Sequence, residues 1–179
     1  MIGLLIPAVA TAYGFSKDYK DYLESSASQY FRDYYGDVFV NNQFPENSDF
    51  RKLKPEYQNL AGEWDAFTHT YTSAALTQDL GYNRANRLGN LNEMRGNNSE
   101  ESRNQDLWNN SKGREIVRKL GKDASLKEIA DAIIDALKNG EIITDKNNDP
   151  RKYAGPSFID ATLDATGDFL LSSSIPLHP

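Results

Sequence analysis

Hydrophobic and polar positions along this chain recur with a helical period rather than the two-residue alternation of strands. Between residues 17 and 35, Tyr19, Tyr22, Leu23, Ala27, Tyr30, Phe31 and Tyr34 repeat at three- and four-residue intervals, separated by Lys17, Asp18, Lys20, Asp21 and Arg32. That spacing predicts an amphipathic helix with an aromatic stripe, and core packing accounts for the stripe without a ligand-binding role. Gly36 ends it. Residues 37–56 contain Asn41-Asn42, Pro45, Asn47-Ser48 and Pro55, and read as a long connection with one short extended piece, Val38-Phe39-Val40.

A second strong helix is predicted from Ala61 to Leu80, closed by Gly81, and a third over residues 83–95, where Ala85, Leu88, Leu91 and Met94 or Arg95 keep the same period. Residues 96–101 read as a polar loop. Ser102-Arg103-Asn104-Gln105 has the form of a capping box, which predicts a fourth helix over 103–120 that stops at Gly121. Ser125-Leu126-Lys127-Glu128 is another, opening a helix that turns Leu126, Ile129, Ala130, Ile133, Ala136 and Leu137 inward and ends at Asn139-Gly140. Glu141-Ile142-Ile143-Thr144 fits a short strand or an extended tail. After a turn-rich stretch over 145–156, a last helix is predicted from Ser157-Phe158-Ile159-Asp160 to about Leu171, followed by a loose tail in which His178 has no assigned role. The expected architecture is all-α: a single-domain bundle of about six helices with long polar loops, spanning residues 1–179 with its motif core at 61–140.

Composition narrows the classes. With 179 residues, 39% of them hydrophobic and 11% aromatic, the chain can bury a core of its own. The absence of cysteine excludes disulfides, thiolate metal sites and cysteine nucleophiles. A net charge of −6 disfavours unspecific attraction to nucleic acid, so no nucleic-acid partner is favoured. The apolar start, residues 1–12, ends in an Ala-x-Ala but has no Lys or Arg before its apolar run and is short for a signal peptide. It is therefore read as a hydrophobic first helix that docks on the core or makes a peripheral membrane contact. No stretch approaches the roughly 20 apolar residues of a spanning helix.

The chemistry is concentrated between Glu63 and Arg114, which hold both tryptophans and one of the two histidines. Asp65 and His69 lie four residues apart and share a helix face with Thr72, Ser73 and Leu76. A carboxylate one turn from an imidazole can orient the ring and raise its basicity, and both groups are competent ligands for zinc or another divalent ion. On the fourth helix Asp106, Asn109, Asn110 and Gly113 share a side that Val117 and Leu120 continue, which predicts that this side points inward. Arg114 would either pair with Asp106 or hold an anionic substrate group, and Glu93 would come from the helix between. Plainer roles stand beside these: a structural Asp65–His69 hydrogen bond, an Asp106 that stabilises a helix N-terminus, and Asn109 and Asn110 as buried amides that cross-link helices.

The segments Trp64-Asp65-Ala66-Phe67-Thr68-His69-Thr70 and Asp106-Leu107-Trp108-Asn109-Asn110-Ser111-Lys112-Gly113-Arg114 resemble an uncharacterised family of small helical bacterial domains. Such domains often sit at the C-termini of large secreted or toxin-like proteins and in phage-related proteins. The family pattern is Trp-Asp-Ala-Phe-x-His-Ala, a later His-Glu, and Asp-Leu-x-Asn-Asn-x-x-Gly-Arg. Where the pattern has His-Glu this chain has Asn92-Glu93, which favours an acid–base site over a metal site.

The function expected from these residues is hydrolase-like chemistry on a cell-envelope substrate such as phospholipid or peptidoglycan, and the resemblance implies an effector or toxin domain that is secreted or translocated. His69, Asp65, Glu93 and Asp106 are the candidate catalytic groups, and Asn109, Asn110 and Arg114 the candidate substrate-binding groups. A divalent metal is a candidate cofactor, with His69, Glu93 and Asp106 as its ligands, and an immunity or secretion protein is a candidate partner. The alternatives are a non-catalytic binding or assembly protein with a buried polar network, and a metal-dependent nuclease.

Overall fold

The computed structural model describes residues 17–38, 54–95 and 97–155. Among them are five α-helices and no strand: α1 (Lys17–Tyr35), α2 (Ala61–Leu80), α3 (Tyr82–Arg95), α4 (Glu100–Leu120) and α5 (Leu126–Lys138). A 3-10 helix, Pro55–Leu60, leads directly into α2. The expected docking helix at 1–12, the piece Phe39-Val40 and the helix begun at Ser157 fall outside the described residues.

Helix α2 is the axis of the fold and packs against all four other helices. Its residues Ala66 to Ala75 are buried without a break, so it has no solvent face. One side is apolar: Trp64, Phe67, Tyr71 and Ala74. That side meets α1 and α5 through Leu23, Ala27, Phe31, Ile129 and Ile133. The Phe31 ring stands edge-on to Trp64 at 5.2 Å and to Phe67 at 5.6 Å, the arrangement the aromatic quadrupoles favour. Tyr22 and Tyr34, expected in the stripe, are 47% and 45% exposed. They occupy its rim, where a tyrosine can bury its ring edge and keep its hydroxyl in water.

The opposite side of α2 faces α3 and α4. Ser73 Oγ donates to the Asn110 carbonyl at 2.8 Å, and further along Gln78 Nε2 donates to the Lys122 carbonyl at 3.1 Å. Helices α2 and α4 therefore run in the same direction, with α3 returning between them. Their close approach is set by Gly113. A Cβ there would overlap the Thr70 carbonyl oxygen and stand 3.0 Å from Ala74 N.

Helix α4 starts earlier than its sequence suggests. Ser99, not Ser102, is the N-cap, accepting from Ser102 N, and Glu100 and Glu101 fill the first turn. The two carboxylates complement the positive end of the helix dipole, which lets the polar run join the helix. Leu120, expected to continue the inward side, is 43% exposed, whereas Val117 is buried; the helix has cleared the core by its last turn. The Ser125–Glu128 capping box of α5 forms as expected.

Residues 141–144 form no strand, and the backbone bends at Ile142 and Thr144. Side chains of α4 satisfy their backbone instead: Asn109 accepts from Ile143 N and donates to Ile143 O, both at 2.9 Å, Gln105 donates to the same oxygen, and Trp108 Nε1 donates to Glu141 O. Arg151 closes the segment through the Gly140 and Ile142 carbonyls. No helix among the described residues is long and apolar enough to cross a membrane.

Gly113→Ala is expected to lower the free energy of urea unfolding by about 3 kcal/mol through overpacking. Gly89→Ala, whose Cβ would stand 3.5 Å from Asn110 Nδ2, should be neutral or gain up to about 1 kcal/mol of helix propensity. Equal losses at both positions would refute close approach as the constraint on α2 and α4.

Candidate functional site

Four ionisable side chains meet where the first half of α2, the end of α3 and the second turn of α4 converge. His69 Nε2 lies 3.7 Å from Asp65 Oδ1, one turn away on α2, and 3.4 Å from Asp106 Oδ1 on α4. The expected sharing of a helix face brings the first pair together, and the parallel course of α2 and α4 supplies the second. Glu93, from α3, lies against Asp106 and within electrostatic reach of His69. The Asn92 amide donates to Glu93 Oε1 at 2.8 Å.

The site is deep. His69 and Asp106 side chains are each 4% exposed and Glu93 1%, while Asp65 at 22% forms the edge toward solvent. Among the described residues no lysine or arginine forms an ion pair with Asp65, Asp106 or Glu93, and Glu93 Oε2 has no hydrogen-bond donor. Burial and the adjacent Asp106 carboxylate push Glu93 up to about 7. Burial, together with the Asp65 charge, pushes Asp106 up to about 7 as well, against the lowering effect of its hydrogen bond with Glu93. Because α4 begins at Glu100, Asp106 is too far along to be explained by the dipole, whose effect fades within the first turn.

Among the described residues, Asp65, His69 and Asp106 form a group that could hold a metal ion: their ligating atoms all lie within 4.8 Å of one another. Asp65 thus joins the expected candidates His69 and Asp106, whereas Glu93, also expected as a ligand, is not in the group and lies against Asp106.

The expected substrate-binding groups divide. Asn109 is fully buried with its amide committed to Ile143. Asn110 and Arg114 lie one and two turns below Asp106 and face Gly89 of α3, with Asn110 Nδ2 and the Arg114 guanidinium 3.5 and 3.6 Å from where its Cβ would be. Arg114 does not pair with Asp106. It is 1% exposed, contacts Ser73 Oγ at 3.4 Å, stands over the Tyr82 ring at 5.7 Å, and leaves Nε without a partner.

Sequence periodicity misses the contribution of α3. Asn86, Asn90 and Glu93 fall at i, i+4 and i+7 and are 5%, 4% and 1% exposed. That is the spacing of an inward face, masked in the sequence by the apolar Ala85 and Leu88 beside it, which follow the same helical period. The available signal was an inward-phased row made of amides and a carboxylate.

In metal-free buffer, stability should fall as pH rises from about 4.5 to 7. A carboxyl whose pKa is raised on folding keeps a proton that the unfolded chain releases near its ordinary value of 3.8 or 4.5, so rising pH draws the equilibrium toward the unfolded state across that window. Urea midpoints should be higher at pH 5 than at pH 7.5, and Glu93→Gln or Asp106→Asn should flatten the difference. A midpoint that rises across the window in the wild-type chain would contradict the burial of these two groups.

No curated protein and no solved structure matches the chain. A family described as a domain of unknown function (DUF6973) matches it over residues 40–141, a span that contains Asp65, His69, Glu93, Asp106, Asn110 and Arg114. The chain belongs to this uncharacterised family, the domain of unknown function DUF6973.

Proposed function

We propose that the chain is a hydrolase-like effector or toxin domain of bacterial or phage origin, in which the Asp65–His69–Asp106–Glu93 cluster activates a water molecule. The observation that carries this reading is His69 Nε2 flanked by carboxylate oxygens at 3.4 and 3.7 Å on two different helices. A structural histidine needs one acceptor for one proton. Two carboxylates on the same nitrogen, with a third behind, concentrate proton-accepting capacity at one point.

In this reading Asp65 marks the solvent edge through which water and substrate approach, and Glu93 and Asp106 exchange protons with the reacting groups. Arg114, buried without a carboxylate partner among the described residues, and Asn110 hold an anionic or carbonyl-bearing part of the substrate. The acidic chain and its apolar first twelve residues tilt the substrate toward the cell envelope, phospholipid or peptidoglycan, and away from nucleic acid. A toxin of this kind would require an immunity protein in its producer.

The near-complete burial of His69, Glu93 and Asp106 also supports a non-catalytic buried network. Such a network stabilises only if every member is satisfied. Among the described residues Asn86 Oδ1, Arg87 Nε and Arg114 Nε have no hydrogen-bond partner, which weighs against it.

Expression of the intact chain in a bacterial periplasm and, separately, in the cytoplasm should arrest growth in one compartment. His69→Ala should remove that arrest while the purified variant keeps its helical circular dichroism. Growth unaffected by the wild-type chain in both compartments would discard the hydrolase in favour of a binding role.

A further inference from the structure

The geometry points to a divalent transition-metal site of the zinc class, formed by Asp65 Oδ1, His69 Nε2 and Asp106 Oδ1, with a water at the fourth position and Glu93 supporting Asp106. The site stands on its own geometry; only its part in catalysis rests on the hydrolase reading above.

Distances between the donors come first. Two ligands each about 2.1 Å from a tetrahedral ion lie about 3.4 Å apart. His69 Nε2 is 3.4 Å from Asp106 Oδ1 and 3.7 Å from Asp65 Oδ1, and the three donor atoms lie within 4.8 Å of one another. The His69 separations are already at or within a few tenths of an ångström of that value, and Asp65, the one partly exposed member, is the ligand free to close on the ion. The donor set, one imidazole and two carboxylates from two rigid helices, is of the kind found at catalytic zinc and related divalent ions, where three protein ligands leave a position for water.

Charge supplies an independent reason. Full ionisation of the three carboxylates would place three negative charges in a space that no lysine or arginine among the described residues enters as an ion-pair partner. Buried carboxylates require a counter-charge or a proton. Glu93 points the same way: it is 1% exposed, its Oε1 accepts from Asn92, and its Oε2 has no donor although it lies against Asp106. Ligating carboxylates are themselves held by outer hydrogen-bonding groups, and Glu93 has that place beside Asp106. The exposed edge of Asp65 gives the ion its way in.

A bound divalent cation lowers the pKa of its water toward neutrality. It would therefore do at this place what the hydrolase reading asks of the cluster, with His69 as a ligand rather than as the base. Asn92 is not one of the three donors. Its amide instead orients Glu93.

The test uses the intact chain treated with chelator and dialysed, titrated by calorimetry with Zn²⁺ and Mn²⁺, and with Mg²⁺ and Ca²⁺ as hard-cation controls. One Zn²⁺ per chain is expected, bound more tightly than Mg²⁺ or Ca²⁺. Asp65→Asn, His69→Gln and Asp106→Asn should each weaken Zn²⁺ binding by about 100-fold or more, and Glu93→Gln by about 10- to 100-fold. Asp65 is partly exposed, so its variant should keep the wild-type circular dichroism and serve as the folded control. Substitution with Co²⁺ should give visible absorption bands of a four-coordinate ion that disappear in Asp65→Asn. Absence of stoichiometric Zn²⁺ binding, or binding unchanged in Asp65→Asn and Asp106→Asn, overturns the site. The two readings separate cleanly: growth arrest that persists without metal binding leaves the hydrolase and removes the metal, whereas metal binding without arrest does the reverse.

Discussion

Helix α2 is enclosed on every side, and the rest of the structure follows from how its two faces are accommodated. A helix with a solvent face can place its carboxylates and hydroxyls there. α2 cannot, because ten consecutive residues from Ala66 to Ala75 are buried. Its apolar face is matched by the aromatic and aliphatic residues of α1 and α5. Its polar face is matched by an equally polar pair of surfaces on α3 and α4. The fold thus has two interiors divided by a single helix, one held by apolar burial and the other by hydrogen bonds and charge.

The polar interior depends on how near α4 can come. Gly113 lets the α4 backbone rest on the Thr70 carbonyl, and at that separation short side chains suffice to cross between helices, as Ser73 does to the Asn110 carbonyl. The same closeness brings Asp106 to His69. Had a larger residue held the helices apart, Asp106 would fall out of reach of an imidazole whose own helix already supplies Asp65. Packing and chemistry are therefore coupled at one residue without a side chain, three positions beyond Asn110.

Most of the helices are legible in the chain because their signals are local. The capping box Ser125–Glu128, the glycines at 81 and 121 and the period of α5 each act within a turn or two. The Asp65–His69 pair is legible for the same reason. The Asp106 contact was foreseeable only as an inward-facing polar residue, since its partner is set by tertiary packing. The start of α4 was misplaced because Ser99 and Ser102 both offer cap chemistry, and two glutamates in the first turn decided in favour of the earlier one. The row Asn86, Asn90 and Glu93 was obscured by the expectation that inward positions are apolar. That expectation fails where one face of a buried helix is itself polar.

A polar interior of this kind is a poor way to gain stability. Each buried group without a partner among the described residues, such as Asn86 Oδ1 or Arg114 Nε, costs about 1–3 kcal/mol or more when charged, and apolar residues of similar size would remove that cost. The chain already has a hydrophobic core beside α1 and α5 large enough to define the fold. Three carboxylates around one imidazole, with no cationic side chain paired to them among the described residues, thus reduce the stability that this core provides. Such an arrangement makes physical sense when something else completes it. A proton shared between Glu93 and Asp106 relieves one charge, whereas a divalent cation among Asp65, His69 and Asp106 relieves two and engages the donor atoms directly. The second completion uses more of what the helices have brought together.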